Sequence, residues 1–196
     1  ICHCRHPESI NMKNLYFAIY SIFCLTLPTT ADADSTSVGA GVATGTWAVD
    51  GSPYHVTGSL YIPRGDSLVI TSGVEIIFDE PGEILVDGVL RAFGTTDAPI
   101  LIHSGLSEDW GPIHLRGDAV TSLEYVHMTG VYASWDGGGG MLVEGQARAT
   151  LVQCKSIFSA RPIRVDDNGA LLARNSLFAD SRALFEVAGG ALVLLN

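Results

Sequence analysis

From Trp47 onward the chain alternates short apolar runs with turn residues. Tyr54-His55-Val56, Leu60-Tyr61-Ile62, Leu68-Val69-Ile70, Val74 to Phe78, Ile84-Leu85-Val86, Val89-Leu90, Ile100-Leu101-Ile102 and Ile113-His114-Leu115 each span two to five residues. They are rich in Val, Ile and Leu and bounded by Gly, Pro, Asp or Ser, the signature of short strands. No window holds a sustained helical period. The pattern predicts an all-β fold.

A recurring spacing narrows the choice among all-β folds. Gly58-Ser59-Leu60-Tyr61-Ile62 matches Gly82-Glu83-Ile84-Leu85-Val86, 24 residues on, and Val74 to Phe78 is aligned with Ala98 to Ile102 at the same spacing. Gly169 to Asn175 matches Gly190 to Asn196 at 21, Ser156-Ile157-Phe158 matches Ser176-Leu177-Phe178 at 20, and Leu123 and Leu151 stand 28 apart. Coils of about 20–28 residues with about three short strands each predict a right-handed parallel β-helix, stacked at the ~4.8 Å strand spacing. Leu151, Leu171 and Leu192 are expected to line its interior, and Asn175 and Asn196 to stack at one turn, where amides can hydrogen-bond along the ladder. A leucine-rich repeat would show a helical half-repeat, and a sandwich would show hairpin turns; Asn168-Gly169 is the only Asn-Gly dipeptide, and it sits inside a repeat. The run Leu192 to Leu195 reaches Asn196 without a capping segment, so the solenoid is expected to be incomplete at that end.

The chain ahead of these coils reads differently. Residues 1–11 read as an upstream translated or non-native leader. Met12 and Lys13 precede an apolar run from Leu15 to Leu27, closed by Pro28 and a small-x-small ending at Ala33. That is a secretory signal peptide over 12–33, too short for the ~20 apolar residues of a membrane span. Residues 34–46, rich in Ser, Thr, Gly and Ala, read as a flexible linker, and the incomplete β-helix domain is assigned to 47–196. The protein is therefore expected outside the cell or at its surface, with the periplasm as the alternative, and without a membrane-spanning segment once the leader is removed.

The formal net charge is −10, and taking away Arg5, Glu8, Lys13 and Asp32 leaves it unchanged. Such a chain is a poor partner for nucleic acid or anionic membranes. Cys154 is the one cysteine beyond the leader. It reads as a small core hydrophobe, since only Lys155 stands near it as a cation.

The stretch from Tyr54 to Phe78 resembles the opening coils of bacterial right-handed parallel β-helix repeat proteins of the pectin-lyase-like superfamily. Val86 to Thr95, Pro99-Ile100, Trp110-Gly111-Pro112-Ile113 and Ser122 to Val126 are similar to that pattern too. The resemblance covers residues 47–196 and implies a large secreted or surface-attached protein. The wider superfamily includes polysaccharide lyases and hydrolases, adhesins and phage tailspikes, so the likeness specifies fold more than activity.

Several residues could carry chemistry. Arg164, Asp166 and Asp167 form the densest polar cluster and are the catalytic candidates. Arg164 and Asp166 share one face of a strand with Val165 inward, although Asp166-Asp167-Asn168-Gly169 also reads as a turn. Asp109 with Trp110, and Trp135 with Asp136, pair a carboxylate with an indole that can stack on a sugar ring. Trp110 also fits a buried position at the start of a coil. The histidines lack metal-ligand spacing, so no metal residues are assigned. No cofactor is implied; the acidity is compatible with Ca²⁺, but no EF-hand or Asp-rich nonapeptide occurs. No Ser-His-Asp arrangement follows from spacing.

The sequence therefore points to a secreted or cell-surface β-helix scaffold that contacts polysaccharide or a cell-surface glycan, non-catalytic in this segment. One alternative is the N-terminal part of a polysaccharide lyase or glycoside hydrolase with its site largely beyond residue 196. The other is an autotransporter-like adhesin passenger.

Overall fold

In a computed structural model of the chain, residues 35–105, 110–131, 140–157, 163–179 and 185–196 are described. The leader and signal-peptide assignments, Asp109, Trp135 and Asp136 lie outside them. Strand after strand is short because turn residues interrupt each apolar run, and among the described residues the strands pair in parallel. The result is a parallel β-solenoid of about six turns.

Three faces make up each turn. Face A stacks β2 (Gly45–Trp47), β4 (Ser67–Thr71), β7 (Val89–Phe93), β10 (Val120–Glu124), β13 (Arg148–Val152), β16 (Ala170–Arg174) and β19 (Ala191–Leu195). Face B begins with β1 (Thr36–Val42) on the first half of β3 (Tyr54–Ile62) and continues through β5 (Glu75–Glu80), β8 (Ile100–Ser104), β11 (Val126–Thr129), β14 (Lys155–Ile157) and β17 (Leu177–Ala179). Face C takes the second half of β3, then β6 (Ile84–Val86), β9 (Ile113–Leu115), β12 (Met141–Val143), β15 (Ile163–Asp166) and β18 (Phe185–Ala188).

Period-2 alternation decides which side chains enter the core. On face C, Leu60, Ile84, Ile113, Met141, Ile163 and Phe185 stack in one inward ladder, and Ile62, Val86, Leu115, Val143, Val165 and Val187 in a second. From Leu60 to Val165 these positions are buried. Burying one such side chain contributes about 1.5–3 kcal/mol, so the stacked ladders are the principal source of stability. Phe78 and Trp110 extend the core as stacked rings 5.0 Å apart.

Turns repeat as well. Where face C gives way to face A, Gly117, Gly145, Asp167 and Gly189 all adopt positive φ. Where face A gives way to face B, the left-handed residue is Tyr125, Gln153 or Asn175 in successive coils. Asn175 N–H donates to the Leu195 carbonyl, which joins that bend to the next coil through the backbone.

Three expectations need correction. The Ser/Thr/Gly/Ala-rich stretch assigned as a linker is not free of structure: β1 pairs along β3, and β2 along β4. Backbone hydrogen bonds need no side chain, so a composition that reads as flexible still completes a ladder on a neighbouring template. Two repeat alignments are also shifted by two residues. Ile76 pairs with Ile102 rather than Ile100, and Ser156 with Phe178 rather than Ser176. A two-residue slip preserves the inward parity, so the apolar pattern cannot reveal it. For the same reason Leu151 stacks on Ala173, while Leu171 and Leu192 pair with each other.

Candidate functional site

Face C carries its polar groups in two adjacent rows. The first outward row runs Tyr61, Leu85, His114, Leu142, Arg164, Glu186 across successive coils. The second lies two residues further along each strand, at the corner leading to face A, and holds Asp87, Arg116, Glu144 and Asp166. Each stands just after an inward Val or Leu: Val86, Leu115, Val143 and Val165 are all buried. The core ladder therefore fixes the height of each charge, and the turn that follows fixes its direction.

The best-formed contact links Asp87 and Arg116. Arg116 Nε donates to Asp87 Oδ1 at 2.9 Å, and Nη2 to Oδ2 at 2.8 Å. Tyr61 adds its hydroxyl from the preceding coil, donating to Oδ2 at 2.9 Å. The Arg116 hydrogen bonds hold the Asp87 carboxyl below the usual carboxylate range, against the opposing effect of burial. Asp87 in turn raises the Arg116 guanidinium further, and raises the Tyr61 phenol through their hydrogen bond.

Further along, Arg164 Nη2 meets Asp166 Oδ2 at 2.7 Å. Asp166 raises the Arg164 guanidinium most, with Glu186 and Glu144 acting in the same direction. His114 stands between two acids, Nε2 at 3.1 Å from Glu144 Oε1 and Nδ1 at 3.9 Å from Glu83 Oε2. The shorter contact has ion-pair distance without hydrogen-bond alignment. At the rim Arg64 reaches Asp118 at 2.8 Å. Among the described residues no group of three or more His, Cys, Asp or Glu is placed to hold a metal ion.

The structure separates the sequence candidates. Arg164 and Asp166 do share the outward side of β15, with Val165 buried between them. Asp167 is a turn residue at φ 51°, in the position that Gly117 and Gly145 occupy in earlier coils. Trp110 is fully buried on Phe78 and donates its indole N–H to the Thr129 carbonyl at 2.9 Å. No face of that ring is open to a sugar, so Trp110 leaves the carbohydrate-contact set and joins the core.

Tyr61, Glu83, Asp87, His114, Arg116, Glu144 and Glu186 were not singled out from the sequence. A signal for Asp87, Arg116 and Glu144 exists in the triplets Val86-Asp87-Gly88, Leu115-Arg116-Gly117 and Val143-Glu144-Gly145, matched by Val165-Asp166-Asp167. Each has an inward aliphatic residue, an outward charge and a turn residue. Their spacing varies with the loops between coils, which hides the repeat from a fixed-period comparison.

Fold and site together define a parallel β-solenoid whose face C carries paired acidic and basic side chains outward. The chain matches no family model, no curated protein and no solved structure. Among the described residues no helix is long and apolar enough to cross a membrane.

Proposed function

We propose that this protein is an exported β-helix of the pectin-lyase-like type whose face C contacts a carbohydrate or cell-surface glycan without cutting it. Export is inferred from the signal-like segment 12–33. The observation that carries the reading is the pairing of two face C carboxylates, Asp87 and Asp166, with arginines. Asp87 is gripped by Arg116, Asp166 by Arg164, and Glu144 lies against His114. A glycosidase needs one carboxyl raised enough to remain protonated as the acid. Asp87 is moved the other way. Leu85 and Leu142, half-buried between the charged positions, alternate apolar patches with hydrogen-bonding groups, which suits the mixed surface of a sugar ring.

The test is retention of the full chain on immobilised neutral and uronate-containing polysaccharides, with reducing ends assayed in parallel. Retention on neutral glycan, unchanged by EDTA and without new reducing ends, is the expected result. Release of reducing ends, or of unsaturated uronate with Ca²⁺ present, would move the protein to the hydrolases or lyases.

A further inference from the structure

Face B carries a second cluster, separate from the glycan contact on face C and independent of it. β1 lies in parallel register on β3 with Ser37 opposite His55, one strand spacing away, ~4.8 Å. On the other side of β3, His55 Nδ1 stands 2.8 Å from Asp79 Oδ2. Ser37, His55 and Asp79 thus come from three successive strands, β1, β3 and β5, and all point outward. Ser37 is exposed, and His55 and Asp79 are 35% and 31% exposed, so solvent and a substrate can reach the group.

The histidines among the described residues are not equivalent. His103 engages both nitrogens, Nε2 with Glu75 Oε1 at 2.9 Å and Nδ1 with the Ser104 carbonyl at 3.0 Å. His114 faces a carboxylate from each nitrogen. His127 pairs in register with Lys155, and burial followed by that lysine lowers its pKa. Among these residues His55 alone hydrogen-bonds a carboxylate through Nδ1 while no carboxylate faces its Nε2. A carboxylate only accepts, so the Nδ1 proton is donated to Asp79 and Nε2 is left as the basic nitrogen.

The backbone adds a third element. Thr36 N–H donates to the Pro53 carbonyl at 3.0 Å. Successive residues of a strand direct their N–H groups to opposite edges, so the Ser37 N–H points to the far edge of β1, which no described strand covers. A donor is therefore available beside the Ser37 hydroxyl, where charge would develop on an acyl oxygen. Gly39, the next outward residue, has open space around it. That leaves room for a bulky alcohol portion and gives a long acyl chain no apolar wall.

We propose that Ser37, His55 and Asp79 form an acyl-transfer site that hydrolyses short, acetyl-type esters. Ser37 Oγ bonds to the ester carbonyl carbon as its proton passes to His55 Nε2. The ester C–O bond then breaks, and the leaving alcohol takes that proton. Water attacks the acyl-serine, gives a proton to Nε2, and the carboxylic acid departs as the proton returns to Ser37. Asp79 acts as a positioning residue, holding the imidazole tautomer.

The experiment uses the full chain with p-nitrophenyl acetate and a fluorophosphonate probe, the labelled residue being found by mass spectrometry. The expected result is label on Ser37, with both label and turnover falling to the buffer level in Ser37→Ala. Asp79→Asn should slow labelling by at least about tenfold and remove the low-field proton resonance of His55 Nδ1–H, and Asp79→Glu should restore part of each. Label on another residue, no label at all, or turnover unchanged in Ser37→Ala would overturn the proposal; the first two need no variant to be read.

Discussion

Arg116 reaches back one coil to hold Asp87 through two parallel hydrogen bonds, of 2.9 and 2.8 Å. Such a bidentate pair fixes geometry as well as charge. It is also half-buried, with side-chain exposures of 39% for Arg116 and 24% for Asp87, so solvent screens it only in part. Arg116→Ala should therefore destabilise the fold by about 1–3 kcal/mol, less than removal of a core residue.

The same pair gives an acid signature. The folded-state pKa of Asp87 is depressed, so its contribution is present above the unfolded-state value and is lost as pH falls through the folded one. Urea unfolding followed across the acid range should show this loss in the wild type. Asp87→Asn should remove that part of the slope.

Among the described residues two hydroxyls lie in the core without a hydrogen-bond partner. Thr121 and Ser156 are 1% exposed, and neither Oγ atom makes a hydrogen bond. Thr121 sits in the inward ladder between Leu90 and Ala149. Replacing it with the similarly shaped Val removes an unsatisfied buried group, so Thr121→Val should stabilise the protein by about 1 kcal/mol in the same urea assay.

Gly145 is constrained twice. Its φ is +71°, and a Cβ there would stand 3.0 Å from the Gly117 carbonyl oxygen, backbone that cannot swing aside. Gly145→Ala should cost about 1–3 kcal/mol through left-handed strain and the forced separation of two coils. A midpoint in urea equal to that of the wild type would contradict this stacking of turns.

Cys154 bears on the alkaline side. Burial pushes its thiol up to about 11. A raised folded-state pKa means stability present below the unfolded-state value and lost as pH rises towards 11. The difference between wild type and Cys154→Ala should shrink across that window, and a thiol reagent should react only as the chain unfolds.

Much of the fold was legible because parity needs only alternation. Leu60 with Ile84, Leu123 with Leu151 and Leu171 with Leu192 were paired correctly from sequence. Where loops differ in length the alignment slipped, as at Ile76 and Ser156, since a shift of two leaves every side chain on its own face. The site was harder to read. Arg164 and Asp166 stand two apart on one strand, so the sequence shows them together; Asp87, Arg116 and Glu144 meet only because successive coils stack. Ser37 was hidden by a composition that suggested flexibility, although its strand is fixed by its partner β3.

Chemical-shift mapping of the isotopically labelled full chain with a neutral oligosaccharide tests the functional account most directly. The account expects perturbations confined to Tyr61, Leu85, His114, Leu142 and Arg164 and their neighbours on face C, weakened by Arg116→Ala. Perturbations centred on face A or B, or none at saturating oligosaccharide, would contradict it.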